Sequence, residues 1–248
     1  MDWFSLWFNG VNIAVQGLLQ VSFSGRITGK RPQARHVALY LFLLSAGAFL
    51  PSGFLAAGAG LLSLYGVNCL MGNTCPAACV TAILAVYIAW LAGGCVNSLA
   101  SMAAPYVPAG ILWGYVFSWT TLLMSLGLCL GCYLIIPKWF PMQDKGLDPY
   151  IWMLLWPEVF LFAVELYIFS SHYGNTTIMP FPKEIGKQFS LLVLQMLGLA
   201  ALVCTLCAYK RVCDGFRLRS SLASLEQETN AQRTYVEQAR MRYGQTRA

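Results

Sequence analysis

Apolar residues fall into blocks close to the roughly 20 residues that an α-helix needs to cross a hydrocarbon core about 30 Å thick. The blocks are 3–22, 36–50, 54–71, 77–101, 108–136, 150–171 and 188–209. The stretch 36–71 admits two readings: two short spans hinged at Pro51-Ser52-Gly53, or one long broken span. After Lys210-Arg211 the pattern becomes polar and helix-forming. Leu218, Leu222, Leu225, Thr229, Gln232, Val236, Ala239, Tyr243 and Thr246 follow at alternating intervals of 4 and 3. That is an a/d seam sustained over four heptads, with polar central layers that weaken a coiled coil and can fix its register. An amphipathic helix lying on the inner leaflet is the alternative, and the persistence of the seam favours pairing. Asp214-Gly215 interrupts the junction. Gly costs about 1 kcal/mol relative to Ala in a helix, so Gly215 is expected to act as a soft hinge.

Composition turns these blocks into a membrane protein. The chain of 248 residues is 58% hydrophobic and only 10% charged, with a mean hydropathy of +0.60. Soluble chains carry about 25% charged residues. From His36 to Pro137, 102 residues pass without one Asp, Glu, Lys or Arg. A soluble enzyme and a secreted disulfide-stapled module are excluded. The fold expected is all-α: a polytopic helix bundle over 1–209, followed by a cytoplasmic signalling and dimerisation helix over 210–248.

Charge sets the orientation. The net charge of +6 arises from Arg26, Lys30, Arg31 and Arg35 in one loop, from pairs at Lys138/Lys145 and Lys183/Lys187, and from eight cations in the last 39 residues. The positive-inside rule explains this distribution better than nucleic-acid binding, because no basic aromatic-studded face accompanies it. Loop 26–35 and the tail should both be cytoplasmic, so an even number of spans separates them, and splitting 36–71 gives six. The expectation is seven spans, N-terminus outside and C-terminus inside, in a bacterial plasma membrane. The first span opens Met1-Asp2-Trp3 without a basic n-region and its cations follow the apolar run, the order of an uncleaved anchor. Trp3, Trp7, Trp113, Trp139, Phe140 and Trp152 sit near span ends as interfacial aromatics, whereas Trp90 and Trp119 lie deeper. The outer loops are short, the longest being Ser171–Lys187.

Two acids interrupt the sixth block, Glu158 and Glu165, seven residues apart on one helical face. A charged residue at a helix centre costs about 2.5–3.5 kcal/mol, so both should face the bundle interior. They form either a ligand or proton site, with Asn97 as a further candidate, or an interhelical hydrogen-bonded set with Asn97, Asn68 or Ser/Thr partners. Pro157 frees a backbone carbonyl one turn earlier. The nine cysteines include Cys129-x-x-Cys132 and Cys204-x-x-Cys207, but both pairs lie in apolar helices without a second shell, so no metal and no disulfide are expected. Neither His36 nor His172 has a neighbour suited to a nucleophile–base pair, and no catalytic motif is present. Gly127-x-x-x-Gly131 permits close helix approach, more often within one chain than between chains.

The tail from Ser221-Leu-Ala-Ser-Leu-Glu-Gln-Glu-Thr to Tyr243-Gly-Gln-Thr-Arg-Ala248 resembles the linker of GHKL-family sensor histidine kinases of Gram-positive, clostridia-like bacteria, relatives of the accessory-gene-regulator quorum sensors. The membrane part is similar as well, at Gly29-Lys-Arg-Pro32, Pro149-Tyr-Ile151, Glu165-Leu-Tyr-Ile168 and Tyr209-Lys-Arg-Val-Cys213. The resemblance covers essentially the whole chain. In that family a Phe-Arg-His-Asp phosphoacceptor box follows directly after a stretch like Thr246-Arg247-Ala248. The box and the ATP-binding domain are not in this sequence, so no catalytic residue carries over. The chain would be the sensor fragment of a longer kinase or a truncated product, not itself an enzyme, and ATP and Mg would belong to the missing kinase domain. The resemblance implies a homodimer in the lipid bilayer, a response regulator reached through that domain, and a small peptide, lipophilic molecule or membrane property as stimulus. The competing function is a small multi-pass transporter or channel using the Glu158/Glu165 pair, with an intramembrane enzyme third. The long tail and the lack of an evident inverted repeat weigh against transport.

Overall fold

The computed structural model describes residues 3–50, 53–108, 110–139, 156–157, 159–165, 167 and 185–245. Among these the regular structure is helical throughout, without a strand. The elements are α1 (Trp3–Thr28), α2 (Ala34–Gly47), α3 (Gly53–Leu70), α4 (Cys75–Ala103), a short 3-10 turn at Ala104–Tyr106, and α5 (Ile111–Trp139). Helical residues between 156 and 167 form α6, and α7 runs over Ile185–Gln245. Among the described residues three helical stretches are long and apolar enough to cross a membrane: Cys75–Tyr106, Ile111–Lys138 and Gln188–Gln238. Two shorter helices, Ala34–Gly47 and Leu55–Leu70, are also apolar.

The expected division of 36–71 in two is met, and other boundaries differ from expectation. The stretch 36–71 is two helices, α2 and α3, packed against each other. The first basic loop is narrower than 26–35: α1 continues to Thr28, which puts Arg26 on α1, and Arg35 stands in the first turn of α2. The stop is local, because Gly29 takes a φ of 69°, the left-handed conformation that ends a helix at little steric cost. Asp214-Gly215 does not break the chain's last helix; both residues lie inside α7. No described atom lies within 4 Å of a Cβ placed on Gly127 or Gly131, so this pair packs against none of the described helices.

The chain divides into two compact units, Met1–Leu206 and Cys207–Ala248. At the centre of the first is α4, which packs on α1, α3 and α5. Its Ala78, Ala82, Ala85, Ala89 and Ala92 recur at intervals of 4 and 3 and are all buried. Such a small-residue stripe lets helix backbones approach closely, the main source of packing energy where lipid competes for apolar contact. Larger side chains interlock around it. Phe23 of α1 stacks on Tyr133 of α5 with ring centroids 4.4 Å apart, and the Tyr133 hydroxyl donates to the Ala85 carbonyl at 2.5 Å.

Contacts at the two ends show that consecutive helices alternate in direction. The Lys30 ammonium, after α1, donates to the Gly72 carbonyl, after α3. At the other end Phe8 of α1 meets Trp119 of α5 edge to face, centroids 5.4 Å apart. Buried polar pairs sit between: the Tyr40 hydroxyl donates to Gln20 Oε1, and Asn68 Nδ2 donates to Thr81 Oγ1 at 3.0 Å and Ser24 Oγ at 3.3 Å. Interhelical hydrogen bonds of this kind average about 0.6 kcal/mol in membrane bundles, so they set helix register more than they add stability. In the second unit, Leu218, Leu222, Leu225 and Val236 are exposed on α7.

Candidate functional site

Within the first unit α4 and α7 run antiparallel along matched seams. On α4 the positions are Tyr87, Leu91, Gly94, Ser98 and Ser101; on α7 they are Gln188, Leu191, Gln195, Gly198 and Leu202. Both series step by 4 and 3, the spacing of one helix face. Contacts pair them in opposite order. A Cβ on Gly198 would lie 2.9 Å from the Tyr87 hydroxyl and 3.0 Å from Leu91 Cδ2, while one on Gly94 would overlap the Gln195 carboxamide. The Ser98 hydroxyl donates to Gln195 Oε1 at 3.2 Å. Glycine at 94 and 198 thus makes room for polar side chains between two otherwise apolar helices.

Glu165 closes the deep end of this seam. It is 4% exposed on α6, and the Tyr87 hydroxyl donates to its Oε1 at 3.3 Å. The same oxygen would sit 2.5 Å from a Cβ at Gly198, so the carboxyl lies against the α7 backbone. Phe162, one turn earlier on α6, sets the ring of Tyr87 at 5.1 Å and that of Trp90 at 6.2 Å between centroids. The inward orientation expected for Glu165 is what the structure shows. Glu158 lies outside the described residues, as do 168–184, which hold most of the loop expected at the outer face and His172.

At the shallow end the seam opens into a cavity of about 500 Å³ between the start of α1, the end of α4, the start of α5 and Gln188 of α7. Asn97, Ser101, Ser118, Thr121 and Gln188 supply two carboxamides and three hydroxyls, and Phe8 and Phe117 supply aromatic walls. Among the described residues no charged side chain lines it. This volume is within the range of small-molecule sites, and an apolar wall with a few polar groups is their usual composition. The arrangement suits an uncharged ligand bearing both donors and acceptors. Asn97 belongs here and not beside Glu165, and Asn68 is engaged with Ser24 and Thr81.

Sequence reasoning missed Tyr87, Gln188, Gln195 and the two glycines. Gln188 and Gln195 were findable by the argument that selected the glutamates, being polar residues seven apart in an apolar block. Tyr87 was not, since a tyrosine in a membrane helix is unremarked until its partner is known. Among the described residues no three His, Cys, Asp or Glu side chains are grouped to hold a metal ion. No protein-family model, curated protein or solved structure matches the chain.

Proposed function

We propose that this chain is the membrane sensor and dimerisation module of a two-component histidine kinase, inserted by seven spans with its N-terminus outside and its C-terminus in the cytoplasm of a bacterial cell. One observation carries the proposal. A single helix, α7, contributes Gln188 to the cavity and, beyond Lys210-Arg211, bears the heptad seam of Leu218, Leu222, Leu225, Val236 and Tyr243. The alternation of α1 to α5 supports the orientation, because it puts the cavity at the end opposite the first basic loop. With that loop inside, the cavity opens outward. A ligand filling it would press on Gln188 and on the α4–α7 seam, and the Gly94 and Gly198 contacts are too close to absorb a shift without α7 moving. The homodimer, the kinase domain with its ATP and Mg, and the response regulator follow from the resemblance of the tail and membrane motifs.

The test is the coding frame beyond the codon for Ala248. A continuing frame encoding a His-Asp box and a GHKL ATPase is the expected result. A stop codon with no such sequence nearby overturns the kinase assignment. One observation favours the transporter reading, the burial of Glu165 inside the bundle. Proteoliposome uptake driven by a proton gradient and lost in Glu165→Gln would establish it; a Glu165→Gln variant that alters signalling without any flux supports the sensor.

A further inference from the structure

The connection between α1 and α2, taken with the helix turns that flank it, holds Arg26, Lys30, Arg31 and Arg35 within ten residues, and no acidic residue occurs anywhere between Asp2 and Asp144. This charge is built into a folded structure. After Gly29 turns left-handed, Lys30 to Pro32 double back over α1 so closely that a Cβ on Gly25 would lie 2.6 Å from the Lys30 carbonyl oxygen and 2.8 Å from Pro32 Cδ. The fold-back bounds a cavity of about 390 Å³ lined by Ser22, Gly25, Arg26, Gly29, Lys30 and Arg31, with Pro32 at its edge. Lys30 is anchored by donating to the Gly72 carbonyl, which uses one of its three ammonium donors. The N-terminus of α2 begins in the same loop and adds its partial positive charge.

Two guanidinium forks, a tethered ammonium and a hydroxyl around one hollow form a donor set matched to a tetrahedral oxyanion, since arginine binds phosphate oxygens bidentately. We propose that this cavity holds a phosphate group, and that its source is the headgroup of an anionic phospholipid. The lipid source follows from the stripe leading into it. Leu18, Ser22 and Arg26 recur every fourth residue on α1 and all three are exposed, passing from apolar through hydroxyl to cation. An acyl chain laid along that stripe ends with its phosphate at Arg26. Basic pockets at the cytoplasmic ends of membrane helices are a recurrent way to hold such headgroups. This inference rests on the membrane orientation proposed above, but not on signalling.

The experiment uses the purified full chain in a neutral detergent, titrated with phosphatidylglycerol, phosphatidylcholine or inorganic phosphate, with occupancy read by native mass spectrometry. Phosphatidylglycerol is expected to bind and phosphatidylcholine to bind far more weakly. Arg26→Gln/Arg31→Gln should weaken phosphatidylglycerol binding roughly 25-fold, about fivefold per charge near a membrane surface. Arg31→Gln alone, in an exposed loop, should give about a fivefold loss without a risk to folding. Failure of inorganic phosphate to compete identifies the lipid; effective competition supports the same site with a soluble phosphate as its occupant. Equal binding of both lipids, unchanged binding in the double variant, or an equal loss in a Lys210→Gln/Arg211→Gln control overturns the site. A kinase assignment that fails leaves all of these readouts intact.

Discussion

Gly198 shows how much one missing methyl can decide. In most helical settings Gly→Ala is worth up to about 1 kcal/mol in favour of alanine. At Gly198 the added Cβ meets Glu165 Oε1 at 2.5 Å and the Tyr87 hydroxyl at 2.9 Å, so something must move. Overpacking of this kind costs about 1–3 kcal/mol and should outweigh the propensity gain. Gly198→Ala is therefore expected to lower the thermal midpoint in detergent, while Gly131→Ala, with no described atom within 4 Å, should leave it level or raise it. Equal effects at the two positions would show that α7 does not close on Glu165. Tyr87→Phe tests the same contact from the other side. It removes a donor to a buried carboxyl and should cost about 1–3 kcal/mol, against little for Tyr106→Phe at a position that is 84% exposed. Glu165 was legible in the sequence because a carboxyl in an apolar block has few places to go. The glycines were not, since Gly is common in membrane helices and only a neighbour's position tells a close approach from an open one.

At the scale of an element, α7 carries two patterns. The buried face over Gln188, Leu191, Gln195, Gly198 and Leu202 has the spacing of a packed helix, and so does the tail seam from Leu218 onward. Continued at 3.5 residues per step, the first series passes through 209, 216 and 223 and misses the tail positions 218, 222 and 225 by about one residue, roughly 100° around the helix. The tail seam is thus not a prolongation of the bundle-packing face, which argues that it serves a partner of its own. The change of phase falls across Asp214-Gly215. The helical run was legible there; its continuity was not, because one glycine weakens a helix by less than the favourable residues around it restore. Replacing Leu222 and Leu225 together with Ser should remove the pairing and leave insertion unchanged. A buried leucine is worth about 1.5–3 kcal/mol, so loss of the four across two chains should weaken association by at least about 10,000-fold. Cross-linking in native membranes reads this directly, and an unchanged dimer fraction would assign the tail to the membrane surface instead.

For the whole molecule, the apolar blocks predicted α2 to α5 within a few residues, since length and hydrophobicity are properties of the chain alone. Which helices surround α4, and which polar groups meet, depend on three-dimensional register and were beyond the pattern. Orientation is the remaining whole-molecule property, and it rests on the basic connection after α1. The helices alternate, so the turn after α3 shares an end with that connection, through Lys30 and Gly72, and the turn after α4 belongs to the opposite end. Cys75 is exposed at the first of these turns and Tyr106 is 84% exposed at the second. In a variant keeping Cys75 as its sole thiol, a membrane-impermeant maleimide should label only after the cells are opened. In a variant with all native cysteines replaced and Tyr106→Cys added, it should label intact cells. Reversal of both would invert the orientation, bring the carboxamide cavity to the cytoplasm and remove the outer ligand from the mechanism. Labelling of both from one side would contradict the alternation itself, because 29 residues of α4 separate the two positions and at 1.5 Å per residue they span more than a bilayer core.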